Sequence, residues 1–112
     1  MVYTIDELGR KIAPVAEKYQ IPKVWIFGSY ARGQADEKSD IDLVINYDAS
    51  NAKGLRFISA AIDFEKAVGR PVDLLDEDGL NSSTTYLAKR VKEGYEKERI
   101  LIYEKKQRST RP

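Results

Sequence analysis

The chain has 112 residues, 42% of them hydrophobic and 33% charged, which suits one globular domain with a modest core. It contains no cysteine and no histidine, which excludes disulfides, thiolate or imidazole metal sites, cysteine nucleophiles and Ser-His-Asp chemistry. Lys and Arg number 19 against 18 Asp and Glu, a net charge of +1, so no global field draws the chain onto nucleic acid. Any catalysis must rest on carboxylates, Lys, Tyr, Ser or Thr, and carboxylates without His or Cys suit hard cations such as Mg²⁺. No apolar run reaches the ~20 residues of a membrane span. The opening residues lack the basic-then-apolar order of a secretory signal, so the expected location is the cytoplasm.

In chain order, Thr4 and Glu7 form a capping box, and Ile5, Leu8, Ile12, Val15 and Tyr19 follow at helical spacing. Pro14 falls inside that pattern and is expected to kink or divide the helix. Lys23 to Phe27 reads as a strand ending at the turn signal Gly28-Ser29, with Tyr30 to Arg32 as a brief helix. A polar loop leads to a second strand, Ile41 to Tyr47. Leu55 to Val68 reads as an amphipathic helix marked by Leu55, Ile58, Ile62, Glu65 and Val68, with Gly69 at its end. Val72 to Leu75 is a third strand. Ser82 or Ser83 would cap a helix bearing Tyr86, Leu87, Val91 and Tyr95, weakened by Gly94, and Ile100 to Tyr103 is a last strand. This order predicts an α/β (α+β) domain over residues 1–104, with helices flanking a small mixed sheet of about four strands. Residues 105–112 read as a polar, flexible tail. From Lys89 onward the chain is locally basic, which reads as a solvated face rather than a nucleic-acid surface.

The chemistry concentrates between Phe27 and Val44. Asp40 and Asp42 straddle Ile41, so on a strand they project to one face while Ile41 and Leu43 enter the core. Two adjacent carboxylates repel unless a cation lies between them. Asp73, in Val-Asp-Leu-Leu, joins them if its strand lies alongside, and three carboxylates suffice for two Mg²⁺ ions. Asp76 competes with Asp73, but alternation points it to the opposite face. Gly28-Ser29 offers turn amides and a hydroxyl to an anion. Arg32 either contacts phosphate or braces the loop through a carboxylate such as Asp36. Tyr30, Tyr86, Tyr95 and Tyr103 read as packing rather than as self-modification targets, Trp25 reads as packing, and Glu96 to Arg99 as a solvated surface.

Phe27-Gly28-Ser29-Tyr30-Ala31-Arg32-Gly33 followed by Ser39-Asp40-Ile41-Asp42-Leu43 resembles the signature of the polymerase-beta nucleotidyltransferase superfamily. The short chain resembles its minimal nucleotidyltransferase (MNT) family, and Arg-Pro-Val-Asp-Leu-Leu matches that family's third-carboxylate strand. The resemblance implies the polymerase-beta-like nucleotidyltransferase fold. It also implies metal binding and catalysis at Asp40, Asp42 and Asp73, and β- and γ-phosphate binding at Gly28 and Ser29. ATP is the implied substrate, two Mg²⁺ ions the implied cofactor, and a HEPN-domain ribonuclease toxin the implied partner. The chain would then act as the antitoxin of a type VII-like toxin-antitoxin pair, transferring AMP to a toxin tyrosine. The alternatives are a module that neutralises the toxin by occlusion, and a transferase acting on a small molecule or RNA with a separate subunit.

Overall fold

Helix α1, Ile5–Lys18, starts where its cap requires. The Thr4 hydroxyl accepts from the Glu7 amide at 3.1 Å, and the Glu7 carboxylate accepts from the Thr4 amide at 2.8 Å. That exchange holds the Glu7 carboxyl below its usual range. Pro14 does not divide the helix. It lies on the exposed side, and Leu8, Ile12, Val15 and Ala16 bury the opposite face on both sides of it. Tertiary burial here outweighs the one backbone hydrogen bond that proline removes. The computed structural model describes residues 2–46, 55–77 and 85–105.

Strands β1 (Lys23–Phe27), β2 (Ile41–Asn46), β3 (Val72–Asp76) and β4 (Ile100–Glu104) form one sheet in the order β3-β2-β1-β4. β1 runs antiparallel to both β2 and β4, whereas β2 and β3 are parallel. The parallel pair requires a crossover, and helix α2, Leu55–Val68, lies within it. Helix α3, Tyr86–Glu98, connects β3 to β4. Among the described residues this gives three helices and a four-stranded mixed sheet, as the sequence predicts. The proposed Ser82 or Ser83 cap, Tyr47 and most of the tail lie outside those residues.

Alternation along the strands assigns the two sheet faces. Val24, Ile26, Ile41, Leu43, Ile45 and Val72 point toward α1 and α2 and form the main core. Gly9 lets α1 approach β4, since a Cβ there would stand 2.9 Å from the Ile102 carbonyl oxygen. Trp25, Val44, Phe27 and Leu75 point the other way and pack with Tyr95 and Val91 of α3. The Tyr95 ring meets Trp25 and Phe27 edge-on, at centroid distances of 6.1 and 5.8 Å.

Two expectations need correction. α2 buries Ala60, Phe64 and Val68, while Leu55, Ile58 and Ile62 are 81%, 54% and 47% exposed. The helix carries two apolar stripes, and the one with the small Ala60 and the large Phe64 faces the core. Tyr30 to Arg32 is not a helix. It belongs to a compact loop closed by Arg32 N–H to Gly28 O (3.1 Å) and Gln34 N–H to Ser29 O (2.9 Å).

Candidate active site

Strand directions bring the predicted residues to one end of the sheet. β1 ends at Phe27, so Gly28 and Ser29 emerge where the antiparallel β2 begins. β3 is parallel to β2 and begins at the same end. In register, Phe27 lies opposite Asp42 and Asp42 opposite Asp73, one row across three strands. Asp40 immediately precedes β2. α3 finishes at this end too, because Glu98 stands just before Ile100, which pairs with Ile26.

Asp42 is half-buried, while Asp40 and Asp73 are exposed. Burial is the largest influence raising the Asp42 carboxyl from its ordinary 3.8 to about 6. The Asp73 charge, a hydrogen bond shared with Asp73 and the Asp40 charge push the same way, and the Arg32 guanidinium opposes them. Asp42 is therefore a carboxyl that holds its proton more tightly than an ordinary one, beside the neighbouring Asp73. Among the described residues no three acidic side chains are already gathered into a metal cage. Asp42 and Asp73 are paired, and Asp40 acts on Asp42 through its charge.

Gly28 adopts φ +74°, a left-handed conformation that favours glycine. A Cβ at this position would collide with Asp42 Oδ2 and lie 3.2 Å from its Cγ. The turn backbone thus passes directly against the carboxylate that the sequence places 14 residues later. Ser29 is partly exposed beside it.

Arg32 does pair with a carboxylate, but with Glu98 and not Asp36. Its Nη1 donates to Glu98 Oε2 at 2.7 Å and its Nε to Gln34 Oε1 at 3.0 Å. Asp36 instead accepts from the Lys38 amide (2.8 Å) and the Ser39 hydroxyl (3.2 Å), bracing its own loop. The Glu96 to Arg99 stretch is correspondingly not a plain solvated surface. Glu98 holds Arg32, and Arg99 donates to Glu77 (3.2 Å) and to the Tyr95 hydroxyl (3.1 Å). No sequence pattern links Arg32 to a residue 66 positions away, so only the folded chain reveals that contact.

The half-buried Asp42 and the exposed Asp73, beside a left-handed glycine turn at one end of the mixed sheet, make up the candidate site. Residues 10–108 match the family model described as polymerase beta, nucleotidyltransferase. The chain belongs to that family. A relative from Methanocaldococcus jannaschii, assigned as a protein adenylyltransferase, is 33% identical over 91 residues, covering 80% of this chain and 89% of the relative. The protein adenylyltransferase MntA of Thermococcus cleftensis is 33% identical over 66 residues, covering 59% and 66% of the two chains. Among solved structures, a toxin-antitoxin pair with AMP-PNP contains a similar fold at TM-score 0.66 and 21% identity, covering 88% of this chain and 75% of the other. A tri-AMPylated Shewanella oneidensis HEPN toxin in complex with its MNT antitoxin gives TM-score 0.60 and 17% identity, covering 88% and 71%.

Among the described residues, no helix is long and apolar enough to cross a membrane.

Proposed function

We propose that this nucleotidyltransferase moves AMP from ATP to a tyrosine hydroxyl of a HEPN-type toxin, and so serves as its antitoxin. The observation that carries the reading is the Asp42–Asp73 pair, in register on adjacent strands directly beside the Gly28 turn. The names of the adenylyltransferase relatives support AMP as the transferred group, and the toxin complexes support the partner.

Mg²⁺ fits this donor set. Asp40, Asp42 and Asp73 are hard oxygen ligands, and burial first and then the neighbouring carboxylate charges raise the Asp42 pKa, a cost to its charged form that a cation would offset. Those three residues would hold it, and when bound it would neutralise charge on the triphosphate. The chain's own groups supply positioning. Gly28 and Ser29 receive the β- and γ-phosphates on turn amides and a hydroxyl. Asp73, exposed at the rim, accepts the proton of the incoming hydroxyl. The hydroxyl oxygen forms a bond to the α-phosphorus, the α–β bridging bond breaks, and pyrophosphate leaves in line.

The test uses the purified chain with α-labelled ATP and Mg²⁺, with and without a HEPN partner. Label on a partner tyrosine, lost on chelation and in Asp42→Asn, is the expected result. Tight binding of the partner without label from any of the four nucleotides would instead establish occlusion. The exposed stripe Leu55, Ile58 and Ile62 gives that second reading a surface. Label on RNA alone would point to a nucleic-acid acceptor.

A further inference from the structure

The last turn of α3 grips the nucleotide turn at both of its ends. At the near end, Tyr95 sets its ring edge-on against Phe27, immediately before Gly28. At the far end, Glu98 accepts from Arg32 Nη1 at 2.7 Å. Gln34, two residues beyond Arg32, accepts from its Nε at 3.0 Å. Two of the three guanidinium nitrogens are therefore fixed, and among the described residues Nη2 makes no hydrogen bond. The same guanidinium lies close enough to Asp42 to oppose the upward pull of the neighbouring carboxylates.

This is an economical way to aim an arginine. A free arginine loses rotamer freedom when it binds phosphate, whereas one held at two nitrogens has lost it already. The ion pair itself adds little stability, since the Arg32 and Glu98 side chains are 44% and 33% exposed. Its geometry matters more than its energy.

We infer that Glu98 is a positioning residue of the nucleotide site, holding Arg32 so that its free Nη2 faces a phosphate oxygen of the bound triphosphate. The inference rests on the triphosphate reading of the Gly28 turn given above. Glu98 touches no substrate and acts through Arg32 alone. A rival role follows from the same contact: Glu98 competes with phosphate for Arg32 and weakens nucleotide binding. The two roles predict opposite signs.

The experiment titrates a non-hydrolysable ATP analogue with Mg²⁺ into the full chain by calorimetry, without any partner protein. Arg32→Ala weakens binding about tenfold, the worth of one charge-assisted hydrogen bond. Glu98→Gln, which keeps length and removes charge, weakens it about three- to fivefold. The Arg32→Ala/Glu98→Gln double variant binds no worse than Arg32→Ala, because Glu98 has nothing left to position. In transfer assays Glu98→Gln raises the KM for ATP and leaves kcat within about twofold. Its melting temperature stays within about 2 °C of the parent, so a folding defect cannot mimic the effect. Binding by Glu98→Gln equal to or tighter than the parent overturns the inference. So do losses that multiply in the double variant, or an Arg32→Ala variant that binds like the parent. If the parent chain binds no nucleotide, the functional reading itself fails and the inference falls with it.

Discussion

On one face of the sheet, among the described residues, α1 and α2 bury sixteen residues in a continuous apolar cluster; on the other, α3 buries three. The first face therefore carries most of the folding free energy, and the second is left to host charge. Asp42 and Asp73 stand on the second face, at the end where β2 and β3 begin. The half-buried Asp42 there meets the like charges of Asp73 and Asp40, opposed by Arg32, so its charged form is disfavoured until a cation or a proton arrives. Substitutions on the two faces should then separate stability from activity.

The largest effect belongs to Asp42→Asn, which should lower transfer on the order of 10³-fold by removing the carboxylate proposed to bind metal and stabilise charge. Its effect on stability should have the opposite sign. The Asp42 pKa is about 6 when folded, above its ordinary 3.8. The folded state thus holds this proton more tightly than the unfolded state. Without divalent cations, stability falls as pH rises through the window from about 4 to 6, and the penalty is fully present at pH 7. Asn cannot ionise, so in EDTA at pH 7 the variant should be more stable by about 1 kcal/mol, a figure already discounted for solvent screening. Thermal melts at pH 7 and below pH 4 check this, because the gain should vanish at the lower pH. A variant that is inactive and also destabilised at pH 7 would place Asp42 in the structural framework instead.

Phe64→Ala is the converse on the other face. Phe64 is fully buried between α2 and the sheet. Its truncation should cost about 3–5 kcal/mol. Chemical denaturation measures that loss, and the specific activity of the fraction still folded should match the parent. A loss under 1 kcal/mol would mean the main core is less continuous than its packing shows.

How far the sequence discloses this division follows from the range of each interaction. The α1 cap and the Gly28 turn are local, and the strand alternation that separates Ile41 and Leu43 from Asp42 has a period of two residues. All three are legible. Asp73 needed one further assumption, that its strand lies beside β2, and the parallel register supplies it. The phase of α2 was not legible, because Leu55, Ile58 and Ile62 and the true core set Ala60, Phe64 and Val68 both repeat at helical spacing. Only the shape of the facing surface chooses between them. Glu98 lay hidden in a charged run for the same reason, since its partner Arg32 is set by the fold.

On the sparse face, Tyr95→Phe offers a smaller and sharper effect. The Tyr95 hydroxyl donates to Glu77 at 2.9 Å and accepts from Arg99 at 3.1 Å, while Asn46 donates to the other Glu77 oxygen at 2.9 Å. Removing the hydroxyl keeps the ring contacts with Trp25 and Phe27 and deletes two hydrogen bonds to charged groups. The expected loss is about 1–2 kcal/mol. Burial is the main influence pushing the Tyr95 phenol up to about 12. Its proton therefore stays in place across the neutral range, and the loss should be the same at pH 6 and pH 9. A loss that grows with pH would show the hydroxyl ionising, contrary to its environment.

The smallest effect should come from α2's outer stripe, and it decides which stripe is core. Ile58 is 54% exposed, so Ile58→Gln removes little buried surface and introduces a residue of good helix propensity. Stability should stay within about 0.5 kcal/mol of the parent. Ile58 and Phe64 lie six residues apart on one helix, so they share its propensity and its caps, and only the direction they face separates a change near zero from one near 4 kcal/mol. If Ile58→Gln cost more than about 2 kcal/mol in the isolated chain, α2 would have to be rotated toward the other stripe. Phe64 would then leave the core, and the apolar face that supports the carboxylate strands would have to be rebuilt around Leu55, Ile58 and Ile62.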